Sequence, residues 1–239
     1  MSSGSVKSER IGRTIIAMVL LAFALRVAAI PFQIGERLDP ARDHWNFGCE
    51  EGRIARSIAL HEGFASPLFG KTGPTSWSVP VYPYLLAGVF RIFGIYTTTS
   101  AWVILSLNCL FSALTCVPIY FIARRGFGPG AALWAGWIWV FFPYAIYLSS
   151  NRIWGYCLDA FVMTLVLWAT FAISYAEVRK WQWAAYGILW GVAALTNPEM
   201  LTTLPVLLGW AVWRQRQRGY TWRPAAVVTL AAVVLTVTP

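Results

Sequence analysis

Long apolar runs separated by short polar or basic segments dominate the chain. An apolar stretch of about 20 residues crosses the ~30 Å hydrocarbon layer of a bilayer as an α-helix. Because lipid offers the backbone no hydrogen-bond partners, each crossing segment is expected to satisfy its own N–H and C=O groups as a helix. The predicted spans are residues 12–33, 100–123, 130–149, 155–176, 182–196, 200–213 and 224–239. The pattern therefore predicts an all-α polytopic membrane protein with about seven transmembrane helices.

One apolar segment, PVYPYLLAGVFRIFGIY at residues 80–96, is ambiguous. It holds two prolines in its first four residues, Arg91 in the middle and Gly94 near its end. Counting it as a span would invert the orientation of every later helix. We interpret it as a helix that lies in the outer membrane interface. Residues 34–99 then form one long outer loop with interfacial helices, within a single transmembrane domain of residues 1–239.

The basic residues cluster in the connections between the predicted spans. Lys7, Arg10 and Arg13 precede the first span, and ARRGFGPG, EVRKW and RQRQRGYTWR lie between later ones. With seven spans and a cytoplasmic N-terminus, all these basic segments fall on the cytoplasmic side, as the positive-inside rule requires. The sequence predicts a multi-pass protein of the cell membrane whose long loop faces the outer, periplasmic side.

Composition excludes a soluble globular protein and adds one expectation about length. The chain is 58% hydrophobic and 12% charged, with a mean hydropathy of +0.57, whereas roughly a quarter of the residues of a soluble domain are charged. The net charge of +9 suggests nucleic acid at first, but its division among short connections is explained by membrane orientation. The last apolar run, residues 224–239, is only about 24 Å long as a helix. It predicts that the chain is a fragment of a longer protein.

The predicted outer loop gathers both histidines and six of the 10 acidic residues. Within it, FGCEEGRIARSIALHEG (47–63) predicts a helix from about Glu50 to His61. One face of that helix holds Glu50, Arg53, Ile54, Ser57 and His61. Glu51 falls in the apolar flank and needs a partner or a polar cavity. Either this is an amphipathic interfacial helix with an ordinary Glu50–Arg53 pair, or it holds a carboxylate that acts as a general base on lipid-borne substrates.

Three charged residues outside the loop lie close to it in predicted depth. Asp159 is near the outer end of its span, and an ionisable group there is a functional candidate, with snorkelling or pairing as the alternative. Arg152 lies just before that span. Arg26, near the outer end of the first span, binds a lipid phosphate or pairs with a loop acid. The sequence has no phosphate-binding loop, CxxC or HExxH motif, so no metal site is predicted.

The order of these features resembles the polyprenyl-phosphate-sugar-dependent glycosyltransferases of the type C superfamily. This superfamily includes protein O-mannosyltransferases and the bacterial aminoarabinose transferase that modifies lipid A. The shared features are a basic N-terminus and first span with Arg26, the acidic pair followed by Arg53 and Ala55, GPTSWSVPVYPYLLAGVFRIFGIYTTTSAWV, IYFIARRGFGPGAALWAGWIWVFFPY, Asp159, and ALTNPEMLTTLPVLL. The likeness covers essentially the whole chain, but only the N-terminal half of such an enzyme.

The resemblance implies transfer of a sugar from a polyprenyl-phosphate donor to a lipid, glycan or protein acceptor, without a metal or other cofactor. It assigns the role of base to Glu50, supported by Glu51. The candidate catalytic residues are Glu50, Glu51 and Asp159, and the candidate substrate-binding residues are Arg53, Arg152, Arg26 and His61. Two departures stand out. The first acid of the loop is often Asp in the family, whereas this chain has Glu. In the aminoarabinose transferase a Glu-Lys-Pro, whose lysine binds the donor phosphate, stands where this chain has Ser78–Pro80. Arg152, Arg53 or residues of the absent half would then make that contact.

Two other function classes fit parts of the pattern. A transporter or lipid flippase needs polar or broken helices near the bilayer midplane, and only Asp159, Asn108 and Asn197 offer polar groups there. A membrane scaffold would use the outer loop to bind a partner without acid-dependent chemistry. Because the acidic residues gather outside the spans, the sequence favours the glycosyltransferase.

Overall fold

The structure is a computed structural model, and it describes residues 3–34, 47–220 and 223–238. Its α-helices are α1 (Ser3–Ile34), α2 (Cys49–Ala59), α3 (Val81–Phe93), α4 (Thr98–Leu114), α5 (Cys116–Phe127), α6 (Pro129–Val140), α7 (Pro143–Asn151), α8 (Tyr156–Ser174), α9 (Lys180–Thr196), α10 (Leu204–Gln217) and α11 (Arg223–Val237). A 3-10 helix at Pro198–Thr203 precedes α10. Within these residues the regular structure is helical, which confirms the predicted all-α fold.

Three stretches of the described chain are long and apolar enough to cross a membrane: Glu9–Phe32, Thr98–Phe127 and Tyr156–Ser174. The bent pair α6 and α7 makes a fourth if it counts as one span. The helices α9, α10 and α11 occupy the last three predicted spans but have only 17, 14 and 15 residues. The total of seven transmembrane helices therefore stays a prediction.

The predicted span at residues 130–149 is divided by a bend of 42° between α6 and α7. Proline has no N–H group, so Pro143 cannot donate to the carbonyl of Trp139 one turn earlier. Phe142 donates to that carbonyl instead, at 3.3 Å, in a tighter turn. The bend follows from a single proline inside an otherwise continuous apolar run.

One compact unit comprises residues 1–117 and 136–158. In it α1, α4 and α7 pack against one another, α2 packs on α3, and α3 packs on α4. The helix α3 matches the segment predicted to lie in the interface. It has 13 residues, too few to cross a bilayer of ~30 Å, and its position at the membrane surface stays a prediction.

The second compact unit comprises residues 118–135 and 159–239, and in it α9 packs along α11. Gly187 and Gly191 of α9 face α11. A Cβ atom at Gly187 would lie 2.4 Å from the carbonyl oxygen of Thr229, and one at Gly191 would lie 2.4 Å from Cβ of Thr236. Small residues spaced four apart let two helix backbones approach closely.

Candidate functional site

The acidic pair lies in the first turn of α2, which begins at Cys49. The carbonyl of Gly48 accepts backbone hydrogen bonds from Glu51 at 3.0 Å and from Gly52 at 3.3 Å. Glu50 and Glu51 are both half-buried. The first turn of a helix collects unpaired N–H groups and the positive end of the helix dipole, which stabilise negative charge. The start of α2 is therefore a favourable place for two neighbouring carboxylates.

The position of α2 is fixed at both ends. The hydroxyl of Tyr96 donates to the carbonyl of Gly52 at 3.2 Å, and the rings of Tyr96 and Phe47 are 5.1 Å apart. A Cβ atom at Gly52 would lie 2.0 Å from the carbonyl oxygen of Phe47, so a side chain does not fit there. At the other end, Arg91 of α3 donates to the carbonyl of Ile58 at 2.8 Å. These contacts set the place from which the glutamates project.

The end of α2 differs from the prediction, because the helix stops at Ala59 and does not reach His61. His61 adopts the left-handed conformation, with φ +63°. Glu62 then donates to the carbonyl of Ser57 at 2.9 Å, and His61 donates to that of Ile58 at 3.1 Å. This pattern is a Schellman motif. The exposed side chain of His61 therefore does not share the helical face predicted for it.

A cavity of about 150 Å³ lies beside α2. Its lining residues are Arg53, Arg56, Ser57, Glu62, Ser66, Leu68, Phe69, Gly70 and Lys71. Three of these carry a positive charge and one carries a negative charge. A concave site with excess positive charge concentrates anions, and guanidinium groups match the oxygens of phosphate. The cavity is suited to an anionic group.

Arg53 connects this cavity to the acidic pair. Its side chain is 8% exposed, and it donates to the carbonyl of Pro67 at 3.2 Å. Its guanidinium carbon lies 4.1 Å from the centroid of the Phe69 ring. Since residues three apart are neighbours on a helix surface, Arg53 lies one turn from Glu50 on the same side of α2.

Lys71 enters the cavity from the loop after α2. Its ammonium group lies 2.5 Å from a carboxylate oxygen of Glu62, and the hydroxyl of Ser57 donates to the other oxygen at 3.4 Å. The hydrogen bond from Lys71 holds the pKa of Glu62 below its usual range. Sequence reasoning missed Lys71, because nothing in the pattern shows that the chain folds back over α2.

Arg152 follows α7 as its C-cap. Its guanidinium carbon lies 5.1 Å from the centroid of the Trp154 ring, and its backbone carbonyl accepts a hydrogen bond from the Asn108 amide at 3.0 Å. The Asn108 amide also contacts the hydroxyl of Tyr82 of α3, at 3.1 Å. Asn108 is one of the few polar groups that the sequence places inside a span. It belongs to α4, and its amide links α4 to α3 and to the backbone of Arg152 just after α7.

Arg26 is completely buried. Its guanidinium donates to the Ser112 hydroxyl at 2.9 Å and to the carbonyls of Trp139 at 2.9 Å, Ala22 at 3.1 Å and Val140 at 3.2 Å. Trp139 and Val140 are the last residues of α6, where Pro143 interrupts the helical hydrogen bonds. Arg26 therefore adds side-chain donors to the last two carbonyls of α6, at the bend.

Asp159 lies in the first turn of α8, in the second compact unit. One carboxylate oxygen accepts a hydrogen bond from the Asn197 amide at 3.1 Å. The other is buried, with no hydrogen-bond partner among the described residues. The side-chain oxygen of Asn197 accepts from the backbone N–H of Glu199 at 3.0 Å, so its amide nitrogen is directed at Asp159. Asn197 is a second residue near a candidate group that sequence reasoning did not assign.

The model of the dolichyl-phosphate-mannose-protein mannosyltransferase family matches residues 74–239. The chain belongs to this family. No curated protein and no solved structure matches it. Membership identifies the chain as a membrane glycosyltransferase of the mannosyltransferase type, in agreement with the resemblance read from the sequence.

The family match divides the candidate residues into two groups. Arg152 and Asp159 lie inside the matched range, whereas Arg26, Glu50, Glu51, Arg53 and His61 lie before it. Family membership therefore establishes the type of enzyme without testing the role of the acidic pair. Those roles remain predictions.

Proposed function

We propose that the protein is a glycosyltransferase that moves a sugar from a polyprenyl-phosphate donor to an acceptor on the outer face of the membrane. The observation that carries this proposal is the pairing of two features of α2. Its first turn presents Glu50 and Glu51, and one turn later Arg53 lines a cavity with excess positive charge. A carboxylate close to a cavity with excess positive charge fits the two needs of the reaction, proton removal from the acceptor and stabilisation of the departing phosphate.

Glu50 acts as the general base in the proposed reaction. Its carboxylate takes the proton of the acceptor hydroxyl while that oxygen attacks the anomeric carbon of the donor sugar. The bond between the anomeric carbon and the phosphate oxygen breaks, and its electron pair leaves with the polyprenyl phosphate. Attack opposite the leaving group inverts the configuration at the anomeric carbon. Glu51 supports the charge and orientation of Glu50.

Arg53, Arg56 and Lys71 bind the phosphate in this proposal. Negative charge grows on the phosphate oxygens as the sugar departs, and fixed cations close to them lower the barrier. Lys71 fills the role left open where Ser78–Pro80 departs from the family pattern. Its salt bridge with Glu62 holds the ammonium group at the cavity until an anion enters.

The remaining candidates have supporting roles in this proposal. Asp159, oriented by Asn197, offers a buried carboxylate oxygen to a substrate hydroxyl. Arg152, stacked on Trp154, is a further phosphate contact. The acceptor is a lipid, glycan or protein hydroxyl.

The test is Glu50→Gln in the full-length protein, with sugar transfer from a polyprenyl-phosphate donor as the readout. Removal of a general base lowers the rate by roughly 100-fold or more, and we expect protein level and donor binding to persist. Glu177→Gln, at an exposed residue after α8, is the matched control and should leave turnover unchanged.

Parallel assays of Glu51→Gln and Lys71→Gln separate the roles. We expect Glu51→Gln to reduce turnover less than Glu50→Gln, and Lys71→Gln to weaken donor binding. If Glu50→Gln turned over at the wild-type rate, Glu50 would have no part in proton transfer and the mechanism would be wrong.

A further inference from the structure

Three arginines surround the ring of Tyr175 in the second compact unit. The guanidinium carbon of Arg125 lies 4.9 Å from the ring centroid, that of Arg214 4.9 Å and that of Arg218 5.0 Å. Arg125 belongs to α5, Arg214 to α10, and Arg218 caps the C-terminus of α10. A tyrosine face attracts cations, but three on one ring also repel one another. We refer to these three arginines and Tyr175 as the arginine cluster.

The surrounding chain holds the arginine cluster in place. Tyr175 stacks with Phe171 at 6.5 Å between centroids and contacts Trp210 of α10 at 6.2 Å. Arg218 donates to the carbonyl of Tyr175 at 2.8 Å. Gln215 donates to the carbonyls of Ile173 and Ala176. Hydrogen bonds to the backbone at and next to Tyr175 thus join the end of α8 to the end of α10.

No carboxylate neutralises the arginine cluster within the part of the chain that the structure describes. Salt bridges found among the described residues join Arg13 to Glu9 and Lys71 to Glu62. Glu177, two positions after Tyr175, forms no salt bridge with the described residues. The Nε atom of Arg214 is buried and has no acceptor among the described residues. Arg125 and Arg218 are exposed. Three converging cations, one of them partly desolvated, are open to an anion from outside the chain.

We propose that the arginine cluster is a binding site for a phosphate group, supplied by the headgroup of an anionic membrane lipid. Guanidinium groups bind phosphate oxygens in pairs through parallel N–H donors. All three arginines come from the basic connections that the sequence predicts to be cytoplasmic, where anionic lipids attract basic residues next to membrane helices. Trp213, exposed beside Arg214, is of the residue type found at the headgroup level.

This site is separate from the proposed sugar-transfer chemistry. None of its residues belongs to α2 or lines the cavity beside it, and its ligand is not the donor. A bound headgroup would neutralise the cluster and hold α5, α8 and α10 together at that end of the unit. The same chemistry could come from a soluble phosphate compound, and the experiment is arranged to distinguish the two sources.

The experiment measures Tm of the full-length protein in a neutral detergent while short-chain lipids are added. A ligand that binds only the folded state raises Tm with concentration. Dioctanoyl phosphatidylglycerol is the anionic probe, dioctanoyl phosphatidylcholine is the zwitterionic control, and inorganic phosphate tests the soluble source. We expect only the anionic lipid to raise Tm, with an effect that weakens as salt is increased.

The variants test whether the arginines form the site. The triple variant Arg125→Gln, Arg214→Gln, Arg218→Gln should bind the anionic lipid roughly tenfold or more weakly. The matched control Arg10→Gln, Lys180→Gln, Arg216→Gln removes three exposed cations from the same predicted side and should keep wild-type affinity. If the triple variant does not fold, Arg125→Gln alone removes an exposed group and should still weaken binding measurably.

The outcomes divide clearly. A shift by inorganic phosphate equal to that by the lipid, lost in the same variant, would assign the site to a soluble phosphate compound and overturn the lipid assignment. Equal shifts in wild type, triple variant and control would mean that lipid binds through general charge and that the arginine cluster is not a site.

Discussion

At the scale of single residues, Arg26 shows how a charge can be kept inside a membrane-spanning helix. Removing a guanidinium from water is costly unless its donors are satisfied. Arg26 makes four hydrogen bonds, and two of them go to Trp139 and Val140 at the end of α6. The carbonyl end of a helix also carries partial negative charge, which favours a cation. The arginine and the proline bend stabilise each other.

Replacing this side chain should therefore destabilise the protein. Arg26→Met keeps the volume but removes the guanidinium donors from the Val140 carbonyl and the Ser112 hydroxyl, and an unsatisfied buried polar group costs about 1–3 kcal/mol. We expect a loss of roughly 2–4 kcal/mol in the free energy of unfolding, measured by denaturant titration in detergent micelles. Arg10→Met, at an exposed position of the same helix, should change stability by less than about 0.5 kcal/mol.

The same variant also examines the predicted substrate role of Arg26. If Arg26→Met retained wild-type stability but lost donor binding, the arginine would contact substrate and the account of the bend would fail. The position of Arg26 was evident from the sequence. Three of its four partners were not, because they lie 86 to 114 positions away in the sequence and depend on how α1, α4 and α6 meet.

At the scale of helices, periodicity predicted most elements but not where they end or bend. The helices at 100–123, 155–176 and 182–196 were expected and found, because continuous apolar runs leave no other way to satisfy the backbone in lipid. The end of α2 was misplaced at His61, since a Schellman motif usually places glycine in the left-handed position. The division of 130–149 was missed although Pro143 is visible, because transmembrane helices often tolerate proline.

The packing of α9 on α11 depends on two glycines spaced one turn apart. We expect Gly187→Ala to destabilise the protein by about 1–3 kcal/mol, because the added methyl group meets the backbone of Thr229. Tm in detergent is a suitable measure. Gly209→Ala in α10 is the control: nothing lies within 4 Å of its added Cβ, and it should be neutral or stabilising by about 0.5–1 kcal/mol.

Destabilisation of the Gly209→Ala variant to the same degree would show that glycine is needed in these helices for a reason other than close approach. A wild-type Tm for Gly187→Ala would mean that α9 and α11 lie further apart than the structure places them. The GxxxG spacing was present in the sequence, but the partner helix that makes it useful was not identifiable from periodicity.

At the scale of the whole molecule, the site combines residues that sequence order separates. The acidic pair could be chosen from the sequence because two adjacent carboxylates stand out in an apolar chain. Lys71 and Arg56 could not, because their role depends on a loop folding back to enclose a cavity. Likewise Asn197 gains its interest only from its contact with Asp159. Local pattern identified the charged groups, and tertiary structure decides their neighbours.

The sidedness of the loop is the prediction on which the whole arrangement depends. Suppose that residues 80–96 lie in the interface. In the seven-span prediction, five spans then separate the outer loop from the end of α10. If only α1, α4–α5, α6–α7 and α8 cross the membrane, three spans separate them, which is again an odd number. Thr72 and Gln217, both exposed, then lie on opposite sides of the membrane. If 80–96 also crosses the bilayer, the predicted total becomes eight spans, and Thr72 and Gln217 lie on the same side.

Cysteine labelling with a membrane-impermeant maleimide decides between these topologies. The background should be low, because all four native cysteines are buried and burial raises the pKa of the Cys49 thiol, which leaves less reactive thiolate. We expect Thr72→Cys to react in intact cells and Gln217→Cys to react only after permeabilisation, with the parent protein as control. Labelling of both from outside would show that α3 crosses the membrane. It would also place the basic connections with the acidic loop, against the charge distribution that orients membrane proteins.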